Sequence, residues 1–384
     1  ILPNDEDIYR FLTQDINYYM KSFEVMVTEN FKAKQIRTPK MSGIGVKVEN
    51  DLLSIDLSRL DIDTSELKDI MEKYSLKKKY HRLKDGSFIE LQENKEIEFL
   101  DKLATGMGID YEELSEGEMK LPVNRALYLN QLLTGLKGIE IIKNSEYKSI
   151  INELNKDQLE ENMEIPKNLS GTLRYYQKTG YKWLKTLDRY HFGGILADDM
   201  GLGKTVQMLS VIVDYAHNVG GRASLVVSPS SLTLNWLNEV NKFTQNLKSC
   251  VIRGTLAERK EIINNIENYD LVITSYDLLK RDIELYKEKN YKFRYIIADE
   301  AQYLKNSTTK NAKAIKQIKA DTRYALTGTP IENSLSELWS IFDFIMPGYL
   351  FTYRKFKNTY EMPIVKKEDE RAMQKLKMLI EPFV

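Results

Sequence analysis

The chain has 384 residues, a formal net charge of zero, 42% hydrophobic and 10% aromatic residues, one cysteine and three histidines. This composition describes a globular protein of two or three domains and excludes a disordered chain, a disulfide framework and a zinc site of Cys/His type. No run of about 18 apolar residues occurs, so no membrane-spanning helix is expected. The zero total hides an asymmetry, since residues 1–165 carry 32 Asp+Glu against 23 Lys+Arg and residues 166–384 carry 24 against 33. The first residue is Ile1 rather than Met, which leads us to expect an excised piece of a longer chain.

In chain order, residues 1–35 show helical spacing through Ile8, Phe11, Leu12, Ile16, Tyr19 and Phe23. Alternation of Ile44, Val46 and Val48, then of Leu53, Ile55 and Leu57 about Glu49-Asn50-Asp51, predicts a hairpin. A short helix is expected over Glu66–Tyr74, and a second hairpin over 79–91 about Lys84-Asp85-Gly86. Helical patterns return over 94–103 and 124–136, and Glu140–Ile142 is compatible with a strand or a helix end. The run Lys77-Lys78-Lys79-Tyr80-His81-Arg82 reads as a solvated edge strand, with a nucleic-acid contact as the alternative. No catalytic cluster stands out here, and residues 1–165 form an expected α+β accessory domain. The polar segment 162–170 with Pro166 marks the domain boundary.

Residues 166–384 alternate strand and helix, which predicts an α/β fold: a parallel sheet with helices on both faces. Ile195-Leu196-Ala197 runs into Asp198-Asp199-Met200-Gly201-Leu202-Gly203-Lys204-Thr205, a strand, glycine-rich turn and helix start. Backbone N–H groups of such a turn and the helix N-terminus can cradle a polyphosphate. Lys204 can reach the terminal phosphates, and the Thr205 hydroxyl can ligate Mg²⁺. The position where the general phosphate-loop pattern has its first glycine is Asp198. Strands are expected over 223–228, 249–252, 271–274, 295–298 and 324–326, and a polar helix over 308–319. Asp299-Glu300 and Thr327-Gly328-Thr329 follow two of these strands, where ligands sit in open parallel sheets. Asp299 is placed to order Mg²⁺ and Glu300 to polarise an attacking water, while Gln177, ahead of the loop, can present its amide to an adenine.

The stretches LRYYQ, DDMGLGKT, SPSSLTLNW, ITSY, DEAQYLKN and LTGTPIEN, in this order, resemble motifs Q, I, Ia, Ib, II and III of superfamily 2 helicase-like ATPases. More narrowly they resemble the Swi/Snf group of double-stranded DNA translocases, and the first half is similar to the accessory domain ahead of the motor in bacterial members. The resemblance implies a RecA-like lobe over residues 166–384 that uses ATP and Mg²⁺. Asp198–Thr205 would wrap the phosphates, and Arg174 and Gln177 would meet the adenine. Lys204, Asp299 and Glu300 would be catalytic, with Thr205 and Asp299 on the metal. Pro229, Ser231, Thr274, Ser275 and Tyr276 would line one DNA strand. Gln302, Thr327, Gly328 and Thr329 would couple the nucleotide to that track. Two positions depart from the usual pattern: Gln302 stands where His is common and Tyr175 where Pro is common.

A second RecA-like lobe with arginine fingers is implied as partner, and no βα series long enough for it follows Pro330. The chain is therefore expected to be the N-terminal part of a bacterial, cytoplasmic, nucleoid-associated DNA translocase, weakly active as an ATPase by itself, with a protein partner that the sequence does not name. An RNA or single-strand helicase, and a nucleotide-switched protein-binding module, are the alternatives.

Overall fold

The computed structural model describes residues 4–26, 36–154, 163–199, 201–328 and 334–384. They form two compact units, Ile1–Ile151 and Asn152–Val384.

The first unit is α+β. Strands β1 (Ile36–Arg37), β4 (Tyr80–Arg82) and β5 (Phe88–Glu90) form a small sheet in the order β1-β5-β4. Strands β2 (Gly43–Glu49), β3 (Leu52–Asp56), β6 (Glu118–Pro122) and β7 (Glu140–Lys143) form a second sheet in the order β6-β3-β2-β7. Both expected hairpins are present, with Val46 opposite Ile55 and His81 opposite Ile89. Ile44, Val46, Val48, Leu53 and Ile55 turn inward and are buried. The Glu140–Ile142 ambiguity resolves as strand, parallel to β2. Strand β6 did not stand out in the sequence, because Glu118-Met119-Lys120-Leu121 alternates over only two apolar positions and ends at Pro122. Its pairing to β3 decides it. Helices Lys95–Met107 and Ala126–Thr134 pack closely, for a Cβ on Gly106 would stand 2.1 Å from the Tyr128 ring.

The second unit is α/β. Six parallel strands, β8 (Gly194–Leu196), β9 (Ser224–Ser228), β10 (Ser249–Val251), β11 (Leu271–Ser275), β12 (Lys292–Ala298) and β13 (Lys319–Leu326), lie in the order β10-β11-β9-β12-β13-β8. Strand β13 begins five residues earlier than the expected strand. Its first half is polar, but its polar groups have partners on neighbouring elements. Asp321 pairs with Arg294 at 3.1 Å, Lys292 at 2.7 Å and Arg222, and Thr322 donates to Asp188 at 3.0 Å.

Asp188 closes the helix Tyr175–Arg189 and ties it to the sheet. Its carboxylate, 4% exposed, accepts two hydrogen bonds of 2.6 Å from Arg294 and one of 2.8 Å from the Tyr295 hydroxyl. The Arg294 guanidinium lies over the Tyr215 and Tyr295 rings at 4.9 and 4.8 Å. At the sheet edge Gly193 is required for close approach, since a Cβ would stand 2.4 Å from the Ile345 carbonyl oxygen. Among the described residues no helix is long and apolar enough to cross a membrane.

This charge cluster makes stability testable in two ways. Asp188→Asn, which strips Arg294 of its buried carboxylate, is expected to destabilise the second unit by about 3–5 kcal/mol. The paired change Asp188→Leu with Arg294→Met is expected to recover only part of that loss in urea unfolding, because the buried Tyr295 and Thr322 hydroxyls lose their acceptor. For Asp321, burial opposes ionisation, but Lys292, Arg222 and Arg294 outweigh it and hold the carboxyl down at about 2 against an ordinary 3.8. Its stabilisation is therefore complete above about pH 4 and lost as pH falls toward 2. Asp321→Asn should flatten the acid limb of stability over that window.

Candidate active site

The parallel register brings the polar motifs to one edge. Val227, Ala298, Ala325 and Ile195 lie in one row across β9, β12, β13 and β8. The chain leaves β12 at Asp299, whose N–H donates to the Val227 carbonyl, and leaves β13 at Thr327, whose N–H donates to the Leu196 carbonyl. The loop after β8 leads into the helix Lys204–Asn218 at the same edge.

That loop has the shape of an anion cradle. Gly203 caps the helix at φ +80°, and a Cβ there would stand 2.6 Å from the Gln177 amide nitrogen, so only glycine fits. Gly201 also has positive φ, +85°. The Lys204 ammonium turns back on the loop, donating to the carbonyls of Asp198 at 2.7 Å and Asp199 at 3.2 Å. Thr205 follows it, half-buried, in the first turn. Gln207 donates to the Asp198 carboxylate at 2.8 Å, which gives this unusual first-position residue a structural task. Met200 lies outside the described residues.

Gln177 is buried and its amide is engaged from both ends. It accepts from the Arg174 N–H at 2.9 Å and donates to the Leu202 carbonyl at 3.1 Å. The Tyr176 hydroxyl donates to the same carbonyl at 3.0 Å. Beside it lies a cavity of about 410 Å³, walled by Arg174, Gln177, Gly203, Glu239, Lys242 and Phe243, which is large enough for a purine base. Burial lifts the Glu239 carboxyl above its usual range, with Lys242 opposing. A larger cavity, about 660 Å³, lies at the far ends of the two helices that flank this site. Its Lys185 is already paired with Asp214 at 2.7 Å, and no glycine turn borders it.

Asp299 and Glu300 are held from several sides. Burial raises the Asp299 carboxyl above the ordinary range, while the Trp236 indole N–H at 2.8 Å, the Glu300 N–H at 3.0 Å and the Lys204 charge act against that rise. Lys204 and Asp299, 95 residues apart in sequence, thus feel one another's charge. Glu300 has left-handed backbone, φ +49° and ψ 61°, which is uncommon for a non-glycine residue and clusters at functional sites. Gln302 donates to the Glu300 carboxylate at 2.6 Å, and its own buried carbonyl oxygen has no partner. An orphaned acceptor beside a carboxylate suits an ordered water.

The residues fit a metal-bound triphosphate: a glycine cradle with a lysine, a hydroxyl at the helix start, and one half-buried carboxylate just past β12, two strands away from β8 in the sheet. Mg²⁺ needs only one or two protein oxygens of this kind because it keeps water and phosphate as its other ligands. This agrees with the absence, among the described residues, of any cluster of three or more metal-binding side chains.

The residues expected along a nucleic-acid track are less uniform. Ser231 is exposed, whereas Pro229 is buried. Thr274, Ser275 and Tyr276 are buried as well, at 0, 3 and 2%. Their hydroxyls face inward: Ser275 caps the next helix by accepting from the Leu278 N–H, and Tyr276 donates to the Asp299 carbonyl at 2.8 Å. In this arrangement the three side chains are unavailable to an outside ligand. Thr327 is buried, Gly328 half-buried, and Thr329 outside the described residues.

Trp236, Gln207 and Tyr303 escaped the sequence reading. Thr233, Trp236 and Val240 form the buried face of the helix Thr233–Phe243, so Trp236 looks like core in sequence and only the fold shows its N–H reaching Asp299. Tyr303 stacks on Tyr276 at 5.1 Å and 4°.

A family model described as SNF2-related domain matches residues 176–384, and one described as bacterial SNF2 helicase associated matches residues 1–166. An uncharacterized ATP-dependent helicase of Mycoplasma genitalium is 31% identical over 373 residues, covering 94% of this chain and 34% of its own length. A putative ATP-dependent helicase/translocase of Bacillus subtilis is 38% identical over 251 residues, 64% of this chain and 27% of its own. Human TATA-binding protein-associated factor 172 is 41% identical over 226 residues, 55% and 12% respectively. The chain thus spans about a third or less of these relatives. Among solved structures, the Sulfolobus solfataricus SWI2/SNF2 ATPase core in complex with dsDNA matches with a TM-score of 0.54 at 42% identity, over 58% of this chain and 46% of that one. The chain belongs to the SNF2 family, with a bacterial SNF2-associated region followed by an SNF2-related domain.

Proposed function

We propose that residues 166–384 form the first RecA-like lobe of an ATP-dependent double-stranded DNA translocase, and that residues 1–165 are its accessory domain. The observation that carries this reading is the meeting of the Lys204 loop with Asp299-Glu300 at the carboxyl edge of one parallel sheet.

In this reading Lys204 exchanges the carbonyls of Asp198 and Asp199 for phosphate oxygens, and Thr205 and Asp299 hold Mg²⁺. The metal, when bound, neutralises charge on the phosphates. Glu300, oriented by Gln302, accepts a proton from the attacking water. Arg174 and the wall beside Gln177 receive the adenine. Duplex DNA as the track is supported by the DNA-bound SWI2/SNF2 core to which the chain is similar. Because Thr274, Ser275 and Tyr276 turn their side chains inward, their share in that contact falls to backbone groups, with Ser231 adding a hydroxyl. Phosphate contacts of this kind carry no base information, so sequence preference should be slight.

Lys204→Ala is expected to weaken Mg²⁺–ATP binding by about 10- to 100-fold, the worth of a charge-assisted hydrogen bond to phosphate, in a titration with a fluorescent ATP analogue. Glu300→Gln should keep binding while losing about 10²- to 10⁴-fold in turnover. Loss of both functions together in Glu300→Gln would remove its assignment as base. This chain alone should turn over ATP slowly, and adding a second RecA-like lobe that supplies arginine fingers should restore about 10³–10⁵. Stimulation by RNA or single strands in preference to duplex DNA would favour the helicase alternative.

A further inference from the structure

The first unit carries a feature that the ATPase reading does not use. Residues 75–79 are all exposed at the turn between the helix Leu67–Ser75 and strand β4. Leu76 is held out in water at 70% exposure and is followed by Lys77, Lys78 and Lys79, with Lys73 one turn back on the helix.

The backbone of this turn is fixed. The Lys77 N–H donates to the Tyr74 carbonyl at 2.9 Å, the Lys78 N–H to the Lys73 carbonyl at 3.0 Å, and the Leu91 N–H to the Lys79 carbonyl at 2.9 Å. The Gln92 side chain donates to the Lys78 carbonyl at 2.9 Å, and Lys77 takes left-handed backbone at φ +57° to make the corner. The lysines therefore project from an ordered ridge.

Elsewhere in the unit, Arg37, Arg59, Lys68, Arg82 and Lys102 are each paired with a carboxylate. Among the described residues, Lys73, Lys77, Lys78 and Lys79 make no such pair; Lys40, Lys120 and Lys137 make none either, but they stand singly, whereas 77–79 are consecutive. Among the described residues, Glu72, next to Lys73 in sequence, makes no ion pair with them.

We infer that the ridge Lys73–Lys79 binds the phosphate backbone of duplex DNA, separately from the ATPase unit. Three successive cations on a fixed turn match a partner of dense, evenly repeated negative charge, and duplex DNA carries one charge per about 1.7 Å of its axis. An acidic protein would have to place its carboxylates in register with the turn, and DNA meets that demand at any sequence. The net acidity of the rest of the unit disfavours a polyanion there, so the ridge orients the DNA as well as strengthening its binding. Leu76 supplies an apolar edge for sugar beside the phosphates.

The test is fluorescence anisotropy of a labelled short duplex with the whole chain, without nucleotide, between about 50 and 200 mM salt. Replacing Lys77, Lys78 and Lys79 together by Ala should lower the slope of log affinity against log salt by about 2–3, at about 0.9 for each phosphate no longer neutralised. Replacing them together by Arg should preserve it. Unchanged affinity and slope in the Ala variant would overturn the inference, as would a loss of binding confined to a labelled polyglutamate probe. ATP binding should survive in the Ala variant and weaken about 10- to 100-fold in Lys204→Ala, while Lys204→Ala keeps the salt slope, so the two readings fail separately.

Discussion

A buried carboxylate at one end of the sheet sets the geometry at the other. Asp188 sits where water cannot reach it, and a charge there is tolerable only because four hydrogen bonds saturate it: two from Arg294, one from Tyr295 and one from Thr322. These partners come from two adjacent strands, and Asp188 itself comes from the helix that precedes the phosphate loop. Hydrophobic packing among Val, Ile and Leu on parallel strands is weakly directional and would tolerate a slip of register. A carboxylate with fixed donors would not, because moving β13 by one residue against β12 would swap Thr322 and Asp321 for their neighbours. That bonding fixes β13 against β12, the middle of the level row Val227–Ala298–Ala325–Ile195, and level strand ends are what place the loop of Lys204 beside Asp299.

At the carboxyl edge a ligand must exchange hydrogen bonds rather than simply add them. Lys204 already holds two carbonyls, Gln177 already has partners at both ends of its amide, and Asp299 already accepts from Trp236 and Glu300. Trading one set of hydrogen bonds for another leaves a net gain for each that is small compared with its gross strength. What the existing bonds supply is position. Glu300 is pinned by Gln302 and by a backbone conformation it would rarely choose, which is the signature of a group whose placement matters more than its comfort.

The candidate site was legible in the sequence because phosphate binding demands glycine and lysine at fixed separations, and because Asp299-Glu300 follows an apolar strand downstream of that loop. The α/β class was legible from the alternation of apolar runs with helical periods. Three things were not. The first half of β13 is polar, and its strand character comes from the partners of Asp321 and Thr322, which lie 27 or more residues away in the chain. Strand β6 alternates over only two apolar residues, Met119 and Leu121, and no turn signal marks its partner. Trp236 obeys its helix's apolar face in every respect except the one hydrogen bond that its indole makes across the sheet. In each case local propensity was overruled by a partner distant in sequence, which a one-dimensional pattern does not contain.

The inward-facing hydroxyls after β11 join two of the motifs more tightly than their spacing suggests. Tyr276 donates to the carbonyl of Asp299 itself, its ring lies flat against Tyr303, and Ser275 fixes the start of the helix that carries it. The junction after β11 and the carboxylate pair after β12 are therefore one mechanical piece, although β9 lies between their strands. A hydrogen bond of 2.8 Å weakens sharply if its atoms part by about half an ångström or more. Because the Tyr276 hydroxyl is fully desolvated, losing that bond would strand a buried donor. A displacement of the helix start must then either carry Asp299 with it or break a hydrogen bond that the interior cannot replace, and the stacked Tyr303 makes the first course the cheaper one.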